Sequence, residues 1–137
     1  MKILFLCVAN SARSQMAEGL ARSLYGDKAV VLSAGSEPSK VNPFAIQAMK
    51  NMGVDIALHY SKPIDAVLAD DVDLVVTLCA DEVCPVVPKS TRKLHWPFKD
   101  PAAVKGSDAE ILKSFEDIRD EIRFKLIEFG KENGLFA

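Results

Sequence analysis

Cys7 and Arg13 enclose the small-residue segment Val8-Ala9-Asn10-Ser11-Ala12, and Ser14 follows directly. A thiol and a guanidinium at this spacing are suited to one task, the capture of and attack on a tetrahedral oxyanion. If a strand ends at Cys7 and a helix begins near Ser14, the turn between them aims backbone N–H groups at a single point, where the helix dipole also favours negative charge. The same field favours the thiolate of Cys7, which is the nucleophilic form. Arg13 supplies a planar fork that grips two oxygens at once, as a lysine cannot. Val8, Ala9, Asn10, Ser11, Ala12, Arg13 and Ser14 are therefore the expected anion-binding residues.

The elements needed to position this loop are readable on either side of it. Residues 2–7 form a continuous apolar run, the signature of a central strand in a parallel sheet. From Ser14 to about Tyr25, Met16, Leu20 and Leu24 recur at helical spacing, with Ser14 placed to cap and Glu18 in the early turns. Ala29–Ser33 reads as a second strand, ended by Ala34-Gly35. A second helix starts at Pro43 behind Asn42 and carries Ala45, Ile46, Met49 and Met52 on its apolar face. Asp73–Leu78 is a third buried strand, and it delivers Cys79 to its C-terminal end. Ligand sites in open parallel α/β sheets lie outside the carboxyl ends of the strands, so Cys7 and Cys79 should emerge on one edge. Lys93–Trp96 is a short fourth strand, and Ile111, Phe115, Ile118, Ile122, Leu126 and Phe129 describe one long amphipathic helix. Alternating strands and helices predict an α/β three-layer sandwich around a central, mainly four-stranded parallel sheet, with residues 1–137 as a single domain.

Composition narrows the functional classes. A net charge of -2 over 137 residues gives no global basic field, which argues against nucleic acid or an anionic membrane as principal partner. The apolar start is too short to span a bilayer or to form a signal core, so the cytoplasm is expected. Three cysteines, Cys7, Cys79 and Cys84, point to reactive thiols rather than to a structural disulfide framework. Cys79 and Cys84 are not a CxxC pair, and no second pair completes a zinc site.

Cys7-Val8-Ala9-Asn10-Ser11-Ala12-Arg13-Ser14 resembles the Cys-x5-Arg-Ser loop shared by low-molecular-weight protein tyrosine phosphatases and the arsenate reductases of that fold. Ser33-Ala34-Gly35, Asn42-Pro43, Thr77-Leu78-Cys79, Cys84-Pro85, His95-Trp96 and Asp100-Pro101 follow in the family's order, so the resemblance covers nearly the whole chain. It implies one of two reactions. As a phosphatase, Cys7 would attack a phosphoryl group held by Arg13 and the loop, and Asp100 would protonate the leaving group. As a thioredoxin-coupled reductase, Cys7 would attack arsenate, Cys79 would attack Cys7 as arsenite leaves, and Cys84 would resolve the result into a Cys79–Cys84 disulfide. Three thiols in this order, and Ala102-Ala103 in place of an aromatic wall after Asp100-Pro101, favour the reductase. A non-catalytic oxyanion binder is the third alternative.

A monomer without a bound cofactor is expected, and the resemblance further implies an external thiol reductant such as thioredoxin or a glutaredoxin-type protein, with phosphate or sulfate as competing oxyanions. Asn10, Glu18 and Ser33 match positions that surround a potassium ion in some of these reductases. Lys62 stands where they carry an acidic ligand, so its ammonium is a candidate replacement for the metal charge. The loop also departs from the family at Ala9, where many members have Gly, and at Ala12, where many have a second Cys. If one loop residue is left-handed, Asn10 is the better candidate. His95 and Trp96 are expected to pack below the acid loop, and His59 to be a surface or packing residue.

Overall fold

The computed structural model describes residues 1–64, 72–80 and 92–136. Among them the apolar runs form β1 (Lys2–Cys7), β2 (Val30–Gly35), β3 (Leu74–Thr77) and β4 (Lys93–His95), joined in the order β2-β1-β3-β4 with every pair parallel. The described helices are α1 (Arg13–Tyr25), α2 (Pro43–Lys50) and α3 (Asp108–Glu132). Side-chain alternation divides the core in two. Ile3, Phe5, Leu74 and Val76 meet Met16, Leu20, Met49, Phe115 and Ile122 from the three helices on one face of the sheet. Leu4, Leu6, Ala34 and Val75 form the other face, against which Leu32, Ile64 and Val72 pack. Burial on both faces explains why β1 is a continuous apolar run rather than an alternating one.

Element ends differ from the sequence reading where polar contacts, not apolar periodicity, set them. The long helix begins at Asp108 because Ser107 and Glu110 close a capping box: the Glu110 N–H donates to Ser107 Oγ at 3.2 Å, and the Ser107 N–H donates to Glu110 Oε1 at 3.2 Å. Asn42 caps α2 as anticipated, accepting from the Phe44 N–H at 2.8 Å. β2 runs on through Ala34 to Gly35, which pairs with Cys7 and also bridges to Pro63. β3 is shorter than the predicted Asp73–Leu78, yet Leu78 stays in register, donating its N–H to Leu6 O at 2.9 Å. No helix among the described residues is long and apolar enough to cross a membrane.

Candidate active site

The turn after β1 is held open from outside. The carbonyl oxygens of Val8, Ala9 and Ser11 accept from the N–H groups of Glu37, Ser39 and Asn42 at 2.8, 3.2 and 2.9 Å. The carbonyl of Asn10 accepts from Ser61 Oγ at 2.7 Å and Gln15 Nε2 at 3.1 Å. In a trans peptide the N–H of one residue points opposite to the preceding C=O. Tying these carbonyls outward therefore turns the N–H groups of Ala9, Asn10, Ser11 and Ala12 to the opposite side of the loop. Asn10 takes φ 47°, the only positive value of a non-glycine among the described residues, so Asn10 and not Ala9 is left-handed.

Ser14 does not cap α1 as the sequence suggested. The cap position falls on Ala12, which offers no side-chain acceptor, so the first turn of α1 keeps its donor end toward the loop. Ser14 Oγ instead lies 2.8 Å from Cys7 Sγ and accepts from Asn10 Nδ2 at 2.8 Å. The Asn10 amide is oriented by its oxygen, which accepts from the Lys62 N–H at 2.9 Å and Gln15 Nε2 at 3.0 Å. Ser14 Oγ thus bridges the Asn10 amide and the Cys7 sulfur, with its own O–H free to donate to Sγ. Cys7 is buried and is a free thiol.

Gly35, read from sequence as a strand end and as part of the Ser33-Ala34-Gly35 match, proves to be a site residue. A Cβ on it would lie 2.4 Å from Val8 O and 2.8 Å from Asn10 N. Only a residue without a side chain lets β2 pass this close beneath the loop. The signal lies in a contact between residues far apart in sequence, which local pattern cannot show.

Arg13 is buried, and its Nη1 donates to Phe98 O at 3.0 Å and more weakly to Leu78 O at 3.5 Å. It thereby ties the loop both to the end of β3 and to the segment leading to Asp100. Asp100 caps a single 3-10 turn, Pro101–Ala103, accepting from the Ala102 N–H at 2.9 Å. Cys7, Ala9, Ser11, Ala12, Arg13, Asp100 and Ala102 enclose a cavity of about 130 Å³. Sites that enclose drug-sized ligands span roughly 300–1,000 Å³, so this one suits a small anion. A hollow of about 910 Å³ between Lys99–Val104 and α3 shares Asp100 with the cavity but reaches neither Cys7 nor Arg13.

Cys79 is buried just past the end of β3 and is disulfide-bonded. Since Leu6 pairs with Thr77, Cys7 at the end of β1 and Cys79 just past β3 lie at the same carboxyl edge of neighbouring strands. Cys84 lies outside the described residues. Trp96 packs between Phe5 and Phe129, as expected. His95 does not pack; it is exposed, with Nδ1 2.7 Å from Thr77 Oγ1.

Behind the loop, Glu18 is 2% exposed. Its carboxylate accepts from Ser33 Oγ at 2.9 Å and faces His59 Nδ1 at 3.1 Å, with Lys62 Nζ and Arg22 Nη2 each at 3.7 Å. His59 Nδ1 also lies 3.1 Å from Gln15 Oε1. Both neighbours are acceptors, so Nδ1 carries a proton and links Glu18 to Gln15, and through Gln15 to Asn10. His59 is thus part of the loop's support, not the surface or packing residue inferred from sequence. Burial lowers its imidazole below the ordinary 6.5, although Glu18 pulls the other way. Among the described residues, no group of three or more His, Cys, Asp or Glu is placed to hold a metal ion.

Known proteins resemble the chain over nearly its whole length. Residues 2–133 match the family model described as low molecular weight phosphotyrosine protein phosphatase. An arsenate reductase of Bacillus subtilis is 46% identical over 131 residues, covering 94% of each chain. Arsenate reductase 2 of Staphylococcus saprophyticus is 48% identical over 129 residues, covering 93% of this chain and 94% of its own. Among solved structures, an arsenate reductase in the phosphate binding state superposes with a TM-score of 0.79 at 34% identity, over 96% of this chain and 97% of that one. A thioredoxin-dependent arsenate reductase of Corynebacterium glutamicum gives 0.75 at 30% identity, over 98% of this chain and 62% of that one.

Proposed function

The chain belongs to the low molecular weight phosphotyrosine protein phosphatase family, with arsenate reductases among its relatives, and we propose that it reduces arsenate to arsenite through a thiol relay. In this reading Arg13 and the inward N–H groups hold arsenate against Cys7, whose thiolate attacks arsenic while Asp100 gives its proton to an arsenate hydroxyl, which leaves as water as its bond to arsenic breaks. Cys79, as thiolate, then attacks Cys7 Sγ. The S–S bond forms as the S–As bond breaks, and its electron pair reduces As(V) to As(III), which leaves as arsenite. Cys84 attacks Cys79, freeing Cys7 and leaving a Cys79–Cys84 disulfide. An external dithiol of the thioredoxin or glutaredoxin type returns it to two thiols.

The observation that carries this reading is the cavity itself. Its 130 Å³ and its wall at Ala102 suit an inorganic oxyanion, and among the described residues that line it there is no aromatic surface for a phenol. A free Cys7 beside a Cys79 already engaged in a disulfide supports the same division of labour between nucleophile and redox thiol. Phosphate and sulfate, which share the tetrahedral shape, compete for the cavity. The test is to supply arsenate with thioredoxin, its reductase and NADPH, and separately an aryl phosphate. Arsenite formation that far exceeds aryl phosphate hydrolysis supports the proposal; rapid hydrolysis without arsenite makes the chain a phosphatase.

A further inference from the structure

A carboxylate as buried as Glu18 needs a compensating charge. Three basic side chains surround it, and they are not equivalent. Arg22 is half exposed and commits its Nη2 to Val31 O at 3.0 Å. His59 donates a hydrogen bond, and its burial favours the neutral ring. Lys62 has a side chain only 13% exposed, with Nζ 3.7 Å from Glu18 Oε1, 3.0 Å from Tyr60 O and 4.7 Å from the centre of the Tyr60 ring. An ammonium facing a carboxylate, a carbonyl and a π face occupies surroundings that would suit an alkali cation.

The main chain of the same residue is tied to the loop. The Lys62 N–H donates to Asn10 Oδ1 at 2.9 Å, and Lys62 O accepts from the Gly35 N–H at 2.9 Å. Residue 62 thus joins α1, β2 and the oxyanion loop, and its charge holds the α1 connection. The residues here do not fit a potassium ion. An ion bound to Glu18 Oε1 and Tyr60 O would sit against the Lys62 ammonium, and Arg22 adds a second positive charge within 4 Å of the carboxylate.

We propose that Lys62 is the built-in monovalent cation of this chain, a positioning residue whose ammonium neutralises Glu18 and holds the Asn10 end of the oxyanion loop without potassium. The proposal concerns the folded protein and does not depend on which oxyanion reaction the site performs.

The test measures thermal midpoint and arsenate turnover for the wild type, Lys62→Ala and Lys62→Met in potassium, ammonium and choline chlorides at equal ionic strength. The wild type should show no potassium-specific change in midpoint and less than a twofold change in turnover. Both variants should unfold at lower temperature and lose about tenfold in turnover in choline chloride. Potassium or ammonium should restore much of both in Lys62→Ala, where the side chain leaves room for an ion, and less in Lys62→Met. A potassium-specific rise in the wild-type midpoint overturns the proposal, as do variants that match the wild type or a Lys62→Ala that neither ion restores. The thermal readout needs no arsenate, so a failure here is distinct from a failure of the reductase reading.

Discussion

Gly35→Ala tests the loop architecture most sharply, because one methyl group is added far in sequence from Cys7. The new Cβ would meet Val8 O at 2.4 Å, Asn10 N at 2.8 Å and Val8 C at 3.0 Å, all of them backbone atoms. Ordinary contact begins near 3.4 Å, so the loop or β2 must retreat by about 1 Å. Overpacking of this kind costs about 1–3 kcal/mol, which lowers the thermal midpoint by roughly 3–10 °C in a chain of this size. The catalytic loss should be larger in proportion, since a 1 Å misplacement of reacting groups costs on the order of 10²-fold in rate. Thermal unfolding and arsenite formation should be measured beside Gly130→Ala, whose Cβ would press on the Phe136 and Tyr25 rings at 2.6 and 2.8 Å. That control should lose stability while keeping its turnover at temperatures where it is folded. A Gly35→Ala protein with wild-type turnover would show that β2 does not set the loop, and would refute the reasoning.

Other substitutions probe the supporting contacts. Ser14→Ala removes the hydroxyl 2.8 Å from Cys7 Sγ; with Cys79 left in its disulfide, iodoacetamide should alkylate Cys7 about tenfold more slowly at pH 7, as expected for the loss of a hydrogen bond to a charged group. Arg13→Lys keeps the charge but loses the fork anchored on Phe98 O, and should cost on the order of 10²-fold in kcat/KM for arsenate with little change in thermal midpoint. His59 supplies a pH test. Its folded-state pKa lies below 6.5 because burial disfavours the charged ring. The unfolded chain therefore binds a proton first as pH falls, so the His59 contribution to stability is full above about 6.5 and is lost below it. Denaturation midpoints at pH 5.5 and 7.5 should differ less in His59→Gln than in the wild type; an equal difference would remove His59 from the account.

Much of the scaffold was legible because its signals are local. β1 announces itself as Ile3 to Leu6, buried on both faces, and the long helix as apolar residues three and four apart from Ile111 to Phe129. The loop that carries Cys7 and Arg13 was legible for the same reason, lying between the end of β1 and the start of α1, and so was the left-handed Asn10. What local pattern could not show depends on distant partners. Ser14 has the right residue type for a helix cap, but its hydroxyl is committed to Cys7 and Asn10. His59 looked dispensable until the fold set it between Glu18 and Gln15. Gly35 carries no chemistry at all and matters only through the backbone packed against it. The Ser107-to-Glu110 capping box was a local signal, overlooked because apolar spacing alone set the expected start of that helix.

The central claim is that electrons pass from Cys79 and Cys84 through Cys7 to arsenic. Its most direct test follows arsenate-dependent NADPH oxidation by a thioredoxin system in the wild type and in Cys7→Ser, Cys79→Ser and Cys84→Ser. The relay predicts sustained oxidation in the wild type, none in Cys7→Ser or Cys79→Ser, and one equivalent of arsenite per protein from pre-reduced Cys84→Ser before it stalls. Sustained arsenite production by Cys79→Ser would contradict it.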